Sequence, residues 1–395
     1  MHKIATFLQK TILRFDFILL LYVVVTAIAT LILFQLPTTD NRTEHFNFSH
    51  YNNYVIFRNS FYHLVSYKDI YAWWMEEKQW DLYKYSPAFA LFFGLFAQFP
   101  DWLGCTLWNV LNAGLLVYAF KKLPQIDNRA KQFMLLFIFF EMVTSVQNIQ
   151  SNCLITALIL LAFSQFEKGN PLWASLFICL TVFIKLFGMA AFVLFLFYPS
   201  KTRFILYSLL WTVILFLIPL LVVSPTQLIF LYKSWWNMLA NDHTSSDGFS
   251  VMAWLRVWFG WNVNKLAVVF VGLLVLLLPL LRFKAWKAFH FRLYYLASVL
   301  IWVIIFNHKA ESATFIIASS GVALWFFSSP KSYLNILLAI LVLVFTILSP
   351  TDLFPAYLRT HYVIPCLLKV FPCILVWLKL QYDLNNFPLE EKTSL

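Results

Sequence analysis

The chain has 395 residues, 61% of them hydrophobic and only 12% charged. A soluble globular protein could not hide that much apolar surface, and the continuous apolar runs exclude a β-barrel, whose strands alternate. The net charge of +11 does not point to nucleic acid, because the basic residues are spread over short connections between apolar runs, as in cytoplasmic loops.

The first apolar run begins near Phe15, behind His2, Lys3, Lys10 and Arg14, and extends to about residue 36. No small-residue cleavage site follows it, so it reads as a retained helix. A mostly polar region, 37–101, leads to an apolar run over 102–121. That run ends on Lys121 and Lys122, with Arg129 and Lys131 close behind, a cluster that belongs in the cytoplasm. The segment DLYKYSPAFALFFG, Asp81 to Gly94, lies between the two runs. If 87–99 crossed the membrane, this cluster and every later basic loop would be inverted. Its apolar core of about 13 residues is also short of the roughly 20 that a span needs. It therefore reads as a juxtamembrane helix inside the first outer loop, with Pro87 in its first turn.

Further spans are expected near 133–147, 151–166, 171–185, 186–199 and 203–223. A second outer region covers 224–262, and spans follow near 263–282, 291–306, 311–328, 332–349 and 361–380. The expectation is an all-α polytopic membrane protein, a single transmembrane domain over 1–395 with about 12 spans and both termini inside. The cysteines show no metal-ligand spacing, so neither a disulfide nor a metal site nor a cofactor is expected.

Polar residues of mixed chemistry gather in the connections assigned to the outer side. The first outer loop holds Asn52, Asn53, Arg58, His63, Asp69, Glu76, Glu77, Asp81 and Lys84. The turn VQNIQSN gives Gln147, Asn148, Gln150 and Asn152. Lys185 sits at a span end between apolar neighbours. The second outer region adds Lys233, Asp242, His243, Ser245, Ser246 and Asp247, and the turn NHKAES gives Asn307, His308, Lys309 and Glu311. Amides and carboxylates hydrogen-bond sugar hydroxyls, cations pair with phosphate, and a carboxylate or His can take a proton from an attacking hydroxyl. Plainer roles compete. Outer charges are commonly just solvated, and Lys185 could snorkel. Trp73, Trp74, Trp80, Trp235 and Trp236 suit interface anchors. Glu141, inside a span, calls for a polar partner or water.

The segments DIY (69–71), LYKYSPAFALFFGLFAQFP (82–100), LWNVLN (107–112), QNIQSNCLITALILLAF (147–163) and LFICLTVFIKLFGMAAFVL (176–194) together resemble the GT-C glycosyltransferases. The likeness is to family 87, the polyprenyl-phosphate-mannose-dependent mannosyltransferase type. It implies a GT-C-like bundle, a polyprenyl-phosphate-sugar donor, a lipid or glycan acceptor, and inverting hexosyl transfer on the outer face of a bacterial inner membrane. It also implies a general-base Asp in the first outer loop, and that position here is Asn53. An amide cannot act as a base. Asp81 then becomes the preferred replacement, followed by Asp69 and His63. Lys185 and His308 are the choices for the donor phosphate, with Lys84 and Lys309 behind them. Tyr85, Gln147, Asn148, Asn152, Asn307 and Glu311 complete the candidate set. Two alternatives remain. One is a non-catalytic lipid- or glycan-binding relative, which Asn53 keeps open. The other is a secondary transporter, which the 9 glycines and the absence of a repeat disfavour.

Overall fold

The computed structural model describes residues 14–41, 46–77, 79–241 and 247–388. Asp242, His243, Ser245 and Ser246 lie outside the described residues. Helices dominate; a short antiparallel ribbon pairs β1 (Thr39–Asn41) with β2 (Phe46–Phe48). Among the described residues, three helices are long and apolar enough to cross a membrane. They are α1 (Phe15–Leu33), α4 (Asp101–Lys122) and α8 (Lys201–Leu217), the last extended by a 3-10 turn to Leu221. Shorter apolar helices pack among them, including α6 (Asn152–Glu167), α7 (Pro171–Ile184), α12 (Phe289–Ile305) and α13 (Phe315–Ser328).

Hydrogen bonds sort the helix ends into two groups. At one end, Ser164 donates to the Lys122 carbonyl at 2.8 Å and Lys131 Nζ to the Lys121 carbonyl at 3.3 Å. Arg292 grips Glu167 at 2.6 and 2.7 Å, and Arg282 reaches the carbonyls of Asn385 and Phe387. The basic connections therefore share one end. At the other end, Asn53 donates to the Asn148 carbonyl at 2.7 Å, Gln150 to Glu311 at 2.5 Å, and the Phe249 N–H to the Ala310 carbonyl at 2.8 Å. The mixed polar connections share this second end.

The segment DLYKYSPAFALFFG falls into place on this map. Its apolar half forms α3 (Pro87–Ala97), an 11-residue helix of about 16 Å at 1.5 Å per residue. Ser86 caps it by accepting from the Phe89 N–H, and Pro87 occupies its first turn. Both ends of α3 lie at the polar end. Ser86 Oγ donates to the Phe183 carbonyl at 2.5 Å, beside Lys185. Past the other end, Asp101 takes a bidentate contact from Arg58 of α2 (Asn52–Val65) at 2.6 Å. The face of α3 turned inward carries Phe89, Phe93 and Phe96, which pack against Phe57 and Trp108 with ring centroids 5.2–5.8 Å apart. Burying these rings fastens the helix to α2 and α4.

Three segments differ from the sequence expectation. The run after Lys185 is a 3-10 helix, Leu186–Phe197, and at about 2.0 Å per residue its 12 residues reach about 24 Å. The second outer region is largely helical, with α9 (Pro225–Asn241) and α10 (Val251–Phe259). The expected span at 361–380 is broken: a π-helical turn covers Arg359–Val363, and the regular helix α16 runs only from Phe371 to Asn385. The break sets Lys369 in the interior, where its ammonium contacts Glu141 Oε1 at 2.5 Å and the Thr346 carbonyl at 3.0 Å. Glu141, on α5 (Asn128–Gln147), is fully buried and Lys369 nearly so.

Two outcomes are expected. Single cysteines at Leu82 and Phe99, flanking α3, should react with an impermeant maleimide from the same side of the membrane; reaction of the Phe99→Cys protein from the opposite side only would overturn the placement. Lys369→Met leaves a buried carboxylate unpaired and should cost about 3–5 kcal/mol, read as lowered thermal stability in detergent.

Candidate functional site

Lys185 forms the centre of the polar end. The chain leaves α7 there in an extended conformation before winding into the 3-10 helix, so the side chain emerges from a break, not from a helix face. Its ammonium donates to Gln150 Oε1 at 3.1 Å and Asn152 Oδ1 at 3.2 Å. It also lies 5.6 Å from the Tyr85 ring centroid and 5.5 Å from that of Phe187. Asn152, fully buried, is held by its own bonds to Gln150 Oε1 at 2.8 Å and the Ala313 carbonyl at 2.9 Å. Gln150 is held in turn by Glu311. Lys185 is thus hydrogen-bonded to neutral oxygens, and the Glu311 carboxylate lies one amide further along the same chain of contacts.

Two local backbone features make the arrangement possible. Gly188 packs so closely on Thr181 that a Cβ would lie 1.8 Å from Thr181 Oγ1 and 2.9 Å from its carbonyl carbon; a side chain here would push the break open. Ile149 has φ +52°, the left-handed region that β-branched residues rarely enter. That conformation turns the chain sharply between α5 and α6, with the Gln150 N–H on the Ser145 carbonyl. Gln150 and Asn152 are thereby both brought to Lys185.

Tyr85 forms the wall facing the first outer loop. Burial pushes its phenol up out of the usual tyrosine range. The Ser151 hydroxyl opposes this, the carboxylates of Glu311 and Asp81 add to it, and Lys84 opposes it. The phenol therefore stays neutral, and those charged groups are its neighbours. Asp81 is partly exposed; its Oδ2 accepts from Lys84 Nζ at 2.9 Å and its Oδ1 from the Leu82 N–H at 2.8 Å. Trp235 of α9 donates to the Lys84 carbonyl at 3.3 Å and covers this corner.

Of the residues singled out in the sequence, the fold brings Lys185, Asn152, Tyr85 and Glu311 into one network, with Asp81 and Lys84 beside it. Others go elsewhere. His63 is buried against Glu77, with Nε2 to Oε1 at 2.7 Å, while Asn59 and Gln79 hold Glu77 Oε2. Asp69 ties the loop to α9, accepting from Ser234 at 2.8 and 3.0 Å and from the Tyr71 N–H at 3.0 Å. Asn148 turns back to the Thr144 carbonyl of its own helix, and Gln147 is exposed. Asn307 caps its turn by accepting from the Lys309 N–H, and the carbonyls of His308 and Ala310 abut Gly248, at φ +52°. That contact docks the second outer region on the turn carrying His308, Lys309 and Glu311. Gln150 was visible only as part of a polar turn; its spacing of two from Asn152 at the same chain reversal was the available signal.

Asn53 sits next to the turn that carries Gln150. Its amide nitrogen is the donor to the Asn148 carbonyl. A carboxylate at this position would oppose one oxygen to another. Asn53→Asp should therefore destabilise the protein by about 0.5–1.5 kcal/mol without raising activity, checked by thermal unfolding and a transfer assay in parallel. A stable, more active variant would show that only the base is missing there.

The family model for glycosyltransferase family 87 matches residues 83–306. No curated protein matches the chain. The matched region runs from the residues before α3, through the Gln150–Asn152 turn and Lys185, to the end of α12, and covers more than half of the chain. The chain belongs to glycosyltransferase family 87.

Proposed function

We propose that this glycosyltransferase moves a hexose, mannose-like, from a polyprenyl-phosphate donor to a lipid or glycan acceptor at the polar end of the bundle. The polar end faces outward and the basic end faces the cytoplasm of a bacterial inner membrane, with both termini inside and about 12 crossings. The observation that carries the reading is Lys185: a partly buried cation hydrogen-bonded to two amide oxygens, with Glu311 one amide further along the same network, beside a partly exposed aspartate. Such a cation suits a phosphate that arrives and leaves. Lys309 and His308 are proposed to contact the same phosphate, and Asn152, Glu311, Tyr85 and Asn307 the sugar.

In the proposed step the acceptor hydroxyl attacks the anomeric carbon. The bond from that carbon to the phosphate oxygen breaks, and the lipid phosphate leaves beside Lys185 and Lys84. The hydroxyl proton passes to the Asp81 carboxylate. One displacement inverts the anomeric centre. A cavity of about 600 Å³ supports a lipid-linked substrate. It lies between the end of α8 and α9, lined by Phe216, Leu220, Ile229, Tyr232 and Trp236, with Lys233 among its lining residues. The other face of α9 holds the first outer loop through Ser234 and Trp235. The engaged amide of Asn53 favours a second reading, a non-catalytic relative that binds the same lipid-linked sugar.

Reconstituted protein given radiolabelled polyprenyl-phosphate-mannose and a total membrane-lipid extract should transfer label to a new product. Asp81→Asn should cut transfer by about 10²–10⁴-fold with unchanged thermal stability. Lys185→Gln should raise the KM for the donor by about 10–100-fold. Full activity of the Asp81→Asn protein would remove Asp81 as base. Donor binding without transfer by the unmodified protein would favour the second reading.

A further inference from the structure

A second cavity lies at the opposite, basic end, far along the chain's helices from Lys185. It has a volume of about 540 Å³ and opens where α6, the 3-10 helix, α8 and α12 come together. The carboxylate in its wall, Glu167, is already engaged. Arg292 holds both of its oxygens, at 2.6 and 2.7 Å, and the Tyr198 hydroxyl adds a third bond at 2.5 Å. Arg292 is occupied in the same way, and its remaining nitrogen donates to the carbonyls of Trp286 and Lys287. The glutamate and arginine therefore cancel, and the cavity keeps the charge of Lys201 and Lys287, both exposed.

The other walls include Phe166, Leu196, Phe197, Phe283 and Trp286. Phe283 is 63% exposed, and Leu281, just before it in sequence, is 68% exposed. Trp286 stands under Lys201, whose ammonium lies 5.4 Å from the ring centroid. The Trp286 indole N–H is buried and has no hydrogen-bond acceptor. Lys201 and Arg203 also occupy the first turn of α8, where cations oppose the helix dipole. An anion bound there offsets that cost.

Two exposed lysines and an exposed apolar flank match a phosphate diester carrying acyl chains. We propose that this cavity is a binding site for the headgroup of an anionic glycerophospholipid, held by Lys201 and Lys287, with Trp286 supporting Lys201 and the acyl chains along Phe283. The chemistry shared with free phosphate is the anion; the apolar flank selects the lipid. The site is independent of the sugar-transfer reading and of its residues.

The test uses full-length protein, stripped of lipid in a neutral detergent. Dioleoylphosphatidylglycerol, dioleoylphosphatidylcholine and inorganic phosphate are each titrated against thermal unfolding, and retained lipid is counted by native mass spectrometry. Phosphatidylglycerol should raise the melting temperature and stay bound, while the choline lipid and phosphate should do neither. Lys201→Gln with Lys287→Gln should weaken phosphatidylglycerol binding on the order of 30-fold. Lys201→Arg with Lys287→Arg should keep it, which separates a charge effect from misfolding. An equal shift with the choline lipid, or an undiminished shift in the glutamine variant, would overturn the proposal. A shift with phosphate alone would overturn the lipid as ligand.

Discussion

The ammonium of Lys185, held by Gln150 and Asn152, is the interaction on which the polar end depends. A lysine among apolar residues at the end of a span has to find oxygen acceptors or withdraw to water. Here the acceptors come from the turn between α5 and α6, and that turn is tied to the 307–313 segment through Glu311 and Ala313. One side chain therefore joins three connections that are distant in sequence. It also explains why α7 stops where it does. An uninterrupted helix would carry the lysine past the turn; the extended residue and the tight Gly188–Thr181 contact let it face the oxygens.

A second buried charge performs a structural task. Glu141 and Lys369 pair deep in the bundle, away from either end, and join the amino-terminal helices to the last helix. Burying an ion pair costs desolvation, so it rarely adds net stability, yet neither partner can be left alone. The interruption before α16 follows from this: Lys369 reaches Glu141 from a turn, and its backbone carbonyl is satisfied by the Thr346 hydroxyl at 2.7 Å. The broken helix is compensated inside the protein, the condition under which a membrane tolerates irregular backbone.

The first outer loop shows how far local sequence carries. Ser86 and Pro87 announce the start of α3, which is an 11-residue helix. The polar residues before it could not be ranked in the same way. Asp69, His63 and Asp81 look equivalent on paper. In the fold, Asp69 meets Ser234, 165 residues away, and His63 meets Glu77, so both are spent on holding the loop. Asp81 keeps partial exposure because its partner Lys84 is local, in the next turn of chain.

The sequence by itself determined the membrane class, the grouping of basic connections at one end and polar ones at the other, and the start and shortness of α3. These follow from hydropathy, charge and segment length, which act residue by residue. Tertiary structure decided which polar residues meet. Gln150 joined Lys185 through a left-handed Ile149, Asn53 became a donor to the Asn148 carbonyl, and Glu141 found Lys369 across 228 positions. Such pairings depend on contacts between elements far apart in the chain, and no local periodicity encodes them.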